Sequence, residues 1–423
     1  MKKIVKIHYG KEIISLQLNE NTLRYELAPA DIEPVKSVAT EIERALKNPV
    51  NSEPLGNIVK KGEKVVILAD DITRLTPARE IIPFVLNDLN KAGIPDQNIT
   101  LVIALGTHRP MTNSEITLKY GEEVVKRIKI FNHNCLEKGN LKHYGTTRRG
   151  TDIWVNRMVV EADFRIGIGN IVPHHPTGWS GGAKILLPGV AGEHTTGQFH
   201  LLGATEQLLG EIETPCREEM EDFAEITGLE FIINTVLDRE GRVVHIVAGN
   251  MIDAHREGVK WGKRVFGAPF TEKTDITISS TFPVDFDLFQ ADKGLFSAAI
   301  STKKGGEIIL LSPCYEGVSP THPESVELAH LTDSELFQIC KDPEASIDPL
   351  SVAEVLYFNT AKQGFKVTLV SAGISDEIAK KLNFNPVKIS QLQKYLDSRL
   401  KEGLTIGVIH NSAETLPLES CNK

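Results

Sequence analysis

A chain of 423 residues with 41% hydrophobic content exceeds what one small core needs, so two domains, each burying its own apolar face, are expected. The formal net charge of -9 excludes a general nucleic-acid binder, whose footprint would be basic, although local Arg and Lys can still meet a small anion. The opening MKKIVKIHYGKE lacks the apolar run of a signal peptide, and no apolar span of about 18 residues occurs, which points to a soluble, cytoplasmic protein without a membrane partner.

In chain order, Lys3 to His8 and Ile13 to Leu18 alternate as a hairpin does, and Pro34 to Lys47 has the spacing of an amphipathic helix with the proline at its start. A regular pattern then begins. Lys64 to Ala69 reads as a buried strand, followed by the polar loop Asp70 to Pro77 and a helix to about Asn90. Ile99 to Leu105 is the next strand, followed by the loop Gly106 to Thr112 and a helix capped near Asn113 or Ser114. Phe164 to Ile168 is another, and it runs straight into a stretch rich in Gly and His. Strands alternating with helices pair in parallel, and ligands in such sheets sit beyond the carboxyl ends of the strands, so all three loops point to one edge. Strands at Glu230 to Asp238 and Val243 to Ala248 and a helix at Ile252 to Phe266 lead to the break Gly267-Ala-Pro269, the candidate domain boundary. Beyond it the theme repeats. Strands are expected at Asp275 to Ser279, Glu307 to Leu311, Lys366 to Val370 and Leu404 to Ile409, with helices at Leu288 to Ile300, Asp333 to Lys341, Ser351 to Gln363 and Gln391 to Glu402. The expected fold class is α/β, with domains at 1–268 and 269–409 and a tail, 410–423, free to return to the first.

The stretch Ile166 to His200 holds four of the thirteen histidines (His174, His175, His194 and His200) together with Lys184 and the run Gly178-Trp-Ser180-Gly181-Gly182. It is poor core and poor surface. Its glycines allow close backbone approach, its imidazoles supply metal ligands or acid/base groups, and its amine can anchor something covalently. Gly178, Ser180, Gly181 and Gly182 could cradle a phosphate through converging N–H groups, especially if a helix starts near Gly182, but a tight turn explains the same residues. Asp71 and Arg74 are either an N-terminal cap with a solvated arginine or an anion-binding guanidinium held by its own aspartate. His108 is a hydrogen-bonded loop histidine or a catalytic group, and Lys184, before Ile-Leu-Leu, is a snorkelling residue or an anchor. His175 and His194 are read as structural or as backing the residues of the site. Gln290 and Lys293, three apart, share a helix face and can reach a cleft from the second domain.

Familiar motifs are absent. No G-x-G-x-x-G follows a strand, and neither G-x-x-x-x-G-K-[ST] nor H-E-x-x-H occurs, which disfavours a Rossmann dehydrogenase, a P-loop NTPase and a zincin. The five cysteines lack C-x-x-C spacing, as reduced structural thiols do.

Taken in order and spacing, Asp71-Ile-Thr-Arg74, Gly106-Thr-His108-Arg109-Pro110, His174 with Gly178-Trp-Ser-Gly-Gly-Ala-Lys184 and Pro188-Gly189, His200, and Gln290-Ala-Asp-Lys293-Gly294 resemble the nickel-dependent lactate racemase family over nearly the whole chain. The resemblance implies a racemase or epimerase that interconverts the C2 configuration of a small 2-hydroxy acid, with cofactor and substrate in a cleft between the two α/β domains. It also implies a nickel-pincer nucleotide, a dithiocarboxylated pyridinium mononucleotide made by dedicated maturation enzymes, bound covalently at Lys184 with His200 as the protein's ligand to nickel. Hydride would move to and from that cofactor through a transient 2-keto acid, which avoids a dianionic intermediate. His108 and His174 would act as acid and base on opposite faces of the substrate, and Arg74 and Lys293 would clamp its carboxylate, oriented by Asp71 and Gln290. Phe289 stands where such racemases carry Tyr, and Asp348 to Ser351 falls where they carry Trp, so the reaction type would be retained behind a changed substrate wall.

Two readings compete with this one. A pyridoxal-phosphate amino-acid racemase would use Lys184 as its Schiff base but leave His108, His174 and His200 idle. A metallochaperone or solute-binding protein would leave Arg74 and Lys293 without a task.

Overall fold

The computed structural model describes residues 1–341, 347–400 and 403–420. Val65–Asp70 is buried at every position, as a strand covered on both faces must be. It forms the centre of a six-stranded sheet ordered Val243–Gly249, Phe231–Leu237, Phe164–Asn170, Val65–Asp70, Ile99–Ala104, Lys129–Asn132. All neighbours pair in parallel except Phe231–Leu237 with Val243–Gly249. Alternation along the central strand sends Ile67 and Ala69 into one apolar cluster with Ile81, Leu86 and Tyr120. Val66 and Leu68 enter another, which continues through Phe199 and Phe223 to Phe296, Leu310 and Phe358. One interior therefore joins both halves of the chain.

The second sheet is parallel throughout, ordered Asn385–Pro386, Lys366–Val370, Thr302–Leu311, Thr274–Ser280, Ile406–Ile409, Leu23–Leu27. Its last strand corrects the expected division at 268/269. Leu23–Leu27 closes one edge of this sheet, and the hairpin Lys2–Tyr9 with Glu12–Asn19 lays Val5, Ile7, Leu16 and Leu18 against Ile276, Ile278 and Ile309. Alternating polarity reveals a strand but not the sheet edge it joins. Gly267–Phe270 is not a bare break either, because it pairs in parallel with Leu416–Glu419 from the tail. The tail thus returns to the linking segment and not to the first sheet.

Most other elements fall close to their expected positions. The first helix, Val38–Lys47, starts beyond Pro34 because Ser37 caps it, accepting from the Thr40 amide. Helix Asn113–Arg127 is capped by Thr112 in a reciprocal box with Glu115, one residue before the expected cap. The strand Lys129–Asn132 and the hairpin Leu141–Thr146 with Asp152–Asn156 were not expected. The last two residues of the expected helix Gln391 to Glu402 lie outside the described residues. Among the described residues, no helix is long and apolar enough to cross a membrane.

The halves meet along helix Glu193–Leu202, where Gly197 leaves room for Pro349 at the start of helix Pro349–Lys362; a Cβ on Gly197 would come within 2.5 Å of that proline. Tyr357 donates its hydroxyl to the His200 carbonyl at 2.9 Å, and Thr360 donates to the Ala204 carbonyl at 2.8 Å.

Candidate active site

Three loops leave the carboxyl ends of three adjacent strands. Asp71 and Arg74 follow Val65–Asp70, His108 follows Ile99–Ala104, and His174 and Lys184 follow Phe164–Asn170. The buried Asp71 carboxylate lies 2.6 Å from His108 Nδ1 and accepts the Thr73 amide at 2.8 Å. Burial opposes its charge, but the His108 hydrogen bond and the charges of His108 and Arg74 hold it well below the usual carboxylate range. An ionised carboxylate can only accept, so His108 carries its proton on Nδ1 and keeps Nε2 as the basic nitrogen. Arg74 is placed differently from expectation: its Nη1 donates to Thr73 Oγ1 at 2.9 Å, and Thr73 in turn donates to Asp71. Asp71 therefore orients His108 directly and Arg74 only through Thr73.

His174 Nε2 lies 2.7 Å from Lys184 Nζ, and His174 Nδ1 lies 3.1 Å from Thr177 Oγ1. The Thr177 hydroxyl spends its single hydrogen on the Trp179 carbonyl at 2.9 Å, so it must accept from His174 Nδ1–H. His174 Nε2 is thus the acceptor, and Lys184 donates to it. Burial, then the charges of Arg74, Lys293 and Arg217, push the Lys184 amine well below the usual lysine range. His174 is lowered in the same way by burial and by Lys184, Lys293 and Arg74. Both groups therefore favour their neutral forms.

His200, on helix Glu193–Leu202, gives its Nδ1–H to the Thr196 carbonyl one turn back at 2.8 Å, which fixes the tautomer and leaves Nε2 with a lone pair. Burial lowers its pKa to about 4. From the second sheet, helix Leu288–Ser301 brings Lys293, which donates to Gln290 Oε1 at 2.6 Å, while Asp287 caps the helix and accepts the Gln290 amide at 2.6 Å. Burial and then Arg74, reaching from the first sheet, lower Lys293 to about 8. Arg74 and Lys293 thus bring positive charge to one place, which suits an anion. Glu414, in the loop after Ile406–Ile409, joins them as a carboxyl raised by burial against the pull of Lys293 and Arg74.

The Gly-rich run is built as a scaffold. Ser180 Oγ donates to the Asn170 carbonyl and accepts the Val172 amide, each at 2.9 Å, and the Gly182 amide is taken by Asn234 Oδ1 at 2.8 Å. Gly178 has φ 70, and a Cβ there would lie 1.8 Å from the Glu211 carbonyl oxygen. Arg217, fully buried, donates to the carbonyls of Gly181 and Trp179, and His255 Nε2 donates to the Ser180 carbonyl at 2.9 Å. The hydroxyl of Ser180 and the amide of Gly182 are therefore spent inside the protein, unlike the expected phosphate cradle, although Gly182–Ile185 does form one short helical turn. His175 is buried, stacked on Phe296 at 3.6 Å between ring centroids, and His194 is exposed.

Sequence reasoning missed the residues that fix these loops. Lys119, buried on helix Asn113–Arg127, donates to the carbonyls of Arg74 at 2.6 Å and Thr76 at 3.1 Å and pairs with Asp70 at 3.0 Å. Arg217 sits on the amphipathic helix Pro215–Thr227, where nothing local separates it from a solvated arginine.

A family model described as the lactate racemase N-terminal domain matches residues 9–209. The lactate racemase of Lactiplantibacillus plantarum is 31% identical over 323 residues, covering 74% of this chain and 75% of its own. The lactate racemase of Thermoanaerobacterium thermosaccharolyticum is 29% identical over 321 residues with the same coverage. The structure of the apoprotein from that organism superposes with a TM-score of 0.87 at 26% identity, covering 99% of this chain and 100% of that one. Sequence likeness over three-quarters of the chain, with likeness of fold over nearly all of it, settles the descent: the chain belongs to the lactate racemase family and is a racemase.

Proposed function

We propose that this racemase inverts C2 of a 2-hydroxy acid held as its carboxylate between Arg74 and Lys293, and that it works with a nickel-pincer nucleotide joined to Lys184. The observation that carries this reading is Lys184 itself, an amine whose Nζ lies 2.7 Å from His174 Nε2 and whose charge is disfavoured by burial and by the neighbouring Arg74 and Lys293, as a nucleophilic anchor requires. The donor set fits a metal that brings most of its own ligands: among the described residues no group of three or more His, Cys, Asp or Glu could hold one, whereas His200 offers a single oriented Nε2. The chemistry such a group supplies is acceptance and return of hydride at C2, with a planar 2-keto acid in between.

The chain's own residues do the rest. Arg74 offers a planar fork and Lys293 a point charge, so together they orient the carboxylate and leave C2 free. His108 Nε2 takes the hydroxyl proton on one face, and Asp71, 2.6 Å from Nδ1, stabilises the imidazolium that forms. His174 Nε2 serves the opposite face, its tautomer set by Thr177. The shared apolar interior on either side of the cleft keeps water from the exposed keto acid.

Lactate, the substrate named for the relatives, is one candidate among 2-hydroxy acids. Protein produced together with the cofactor-maturation enzymes should interconvert the enantiomers of at least one 2-hydroxy acid on chiral chromatography, and protein produced without them should not. Amino-acid racemisation restored by pyridoxal phosphate would contradict the proposal.

A further inference from the structure

His322 is a buried histidine that the mechanism leaves unused. It lies in the loop after Thr302–Leu311, beyond the carboxyl end of a central strand of the second sheet. That loop runs beside helix Leu288–Ser301, whose Leu288 and Phe289 amides bond the Gly317 and Val318 carbonyls, each at 3.0 Å. Phe289, adjacent to Gln290, stands edge-on to the His322 ring at 5.9 Å between centroids. On the other side, Asp348 caps helix Pro349–Lys362, and its Oδ2 lies 2.5 Å from His322 Nδ1. Pro349 meets Gly197, which shares a helix face with Glu193 and His200. His322 is thus bracketed between the residue beside the proposed substrate clamp and the helix that carries the proposed metal ligand.

The pair is oriented. Asp348 also accepts from the Leu350 amide at 2.9 Å and from Ser351 Oγ at 3.1 Å. These bonds fix the carboxylate and make His322 Nδ1 the donor, so Nε2 is the nitrogen left over; among the described residues no group bonds it. Local charge narrows what Nε2 can receive. Asp348 pairs with His322, and Glu193 lies near enough to feel both, its carboxyl raised by burial and by Asp348 against the pull of His322, so two carboxylates stand around one imidazole. A second carboxylate on the substrate would meet net repulsion, whereas a hydroxyl group can give or take a hydrogen bond without adding charge.

Resting on the racemase reading above, we propose that His322, oriented by Asp348, is the specificity-determining group that hydrogen-bonds a hydroxyl on the substrate's C2 substituent, making hydroxylated 2-hydroxy acids the preferred class. A methyl substituent would give Nε2 no such partner, and a site built around a hydrogen bond rejects the analogue that lacks it.

The test uses cofactor-loaded protein and four probes: lactate, glycerate, ribonate and malate. The better of glycerate and ribonate should exceed lactate in kcat/KM by on the order of tenfold or more, with malate below both. His322→Leu should collapse that ratio toward unity, and His322→Gln, which keeps a hydrogen-bonding group, should restore part of it. Lactate or malate as the best substrate, or a ratio unmoved by His322→Leu, would overturn the proposal. A second readout does not need turnover: in ¹⁵N-histidine-labelled protein the Nε2 resonance of His322, assigned by its loss in His322→Gln, should shift on adding the preferred hydroxylated acid and not on adding lactate. Absence of that shift overturns the role of His322 even if racemisation is seen. A shift without turnover of any probe would instead uphold the role of His322 and count against the racemase reading.

Discussion

His174 Nε2 and Lys184 Nζ lie 2.7 Å apart, so in the unmodified chain the proposed acid/base group and the proposed anchor share one hydrogen. Joining a group to Lys184 leaves its nitrogen with a single hydrogen and no basic lone pair, and so changes what His174 Nε2 can receive. Attachment of the cofactor would thereby tune the neighbouring base.

The depression of Lys184 makes folding depend on pH with a definite sign. Its folded pKa lies below the unfolded value near 10.5, so the unfolded chain binds more protons between the two. Relative to Lys184→Met, the unmodified wild type should be at its best above that unfolded value and should lose stability as pH falls through the folded pKa. Urea unfolding of both proteins across alkaline and neutral pH should show the gap widening toward lower pH. A gap that is constant, or that narrows on acidification, would remove the buried neutral amine from the argument.

Asp71 and His108 act as a unit. His108→Ala should reduce kcat by about 10²–10⁴-fold, since that is what a positioned acid or base contributes. Asp71→Asn keeps the shape but frees the tautomer, and should reduce kcat by about 10–100-fold with a smaller change in KM. In both variants the mass at Lys184 should persist, which separates lost chemistry from lost cofactor.

His200→Ala should lose nickel while keeping the covalent adduct at Lys184, because it removes the imidazole whose Nε2 is oriented for the metal by the bond from Nδ1 to the Thr196 carbonyl. Metal analysis paired with intact mass reads both quantities on one sample. Loss of the adduct together with the metal would move His200 from ligand to scaffold.

The proposed carboxylate clamp and the proposed substituent wall should separate in kinetics. Arg74→Lys replaces a planar fork by a point charge and should weaken every 2-hydroxy acid together, mainly through KM. Phe289→Tyr, beside His322, should instead reorder substrates. A clamp variant that reorders substrates while Phe289→Tyr scales them equally would place specificity at the clamp.

Much of this was legible in the sequence, for identifiable reasons. Lys366–Val370 falls where its apolar run ends, and Val65–Asp70 and Ile99–Ala104 within a residue or so of theirs, because a strand buried on both faces has no other reading. Asp71, His108, His174 and Lys184 stood out because polar and Gly-rich loops after such strands serve neither core nor surface, and Gln290 and Lys293 because they share a helix face; the structure pairs Asp71 with His108, His174 with Lys184 and Lys293 with Gln290. What could not be read was partnership at a distance. Leu23–Leu27 joins a strand at the far end of the chain, and Arg217 reaches carbonyls 36 and 38 residues earlier. Asp71 was expected to hold Arg74 and holds His108, a choice made by side-chain geometry that spacing does not contain. The His322 and Asp348 pair, 26 residues apart in a crossover, has no local signature either.

The most direct measurement is intact mass followed by peptide mapping of wild type and Lys184→Ala, each produced with the cofactor-maturation enzymes and assayed for racemisation in the same preparation. Wild type should carry one covalent nucleotide adduct on the Lys184 peptide and racemise a 2-hydroxy acid, while Lys184→Ala should fold but carry no adduct and no activity. Full racemase activity in protein whose Lys184 is unmodified would contradict the proposal at its centre.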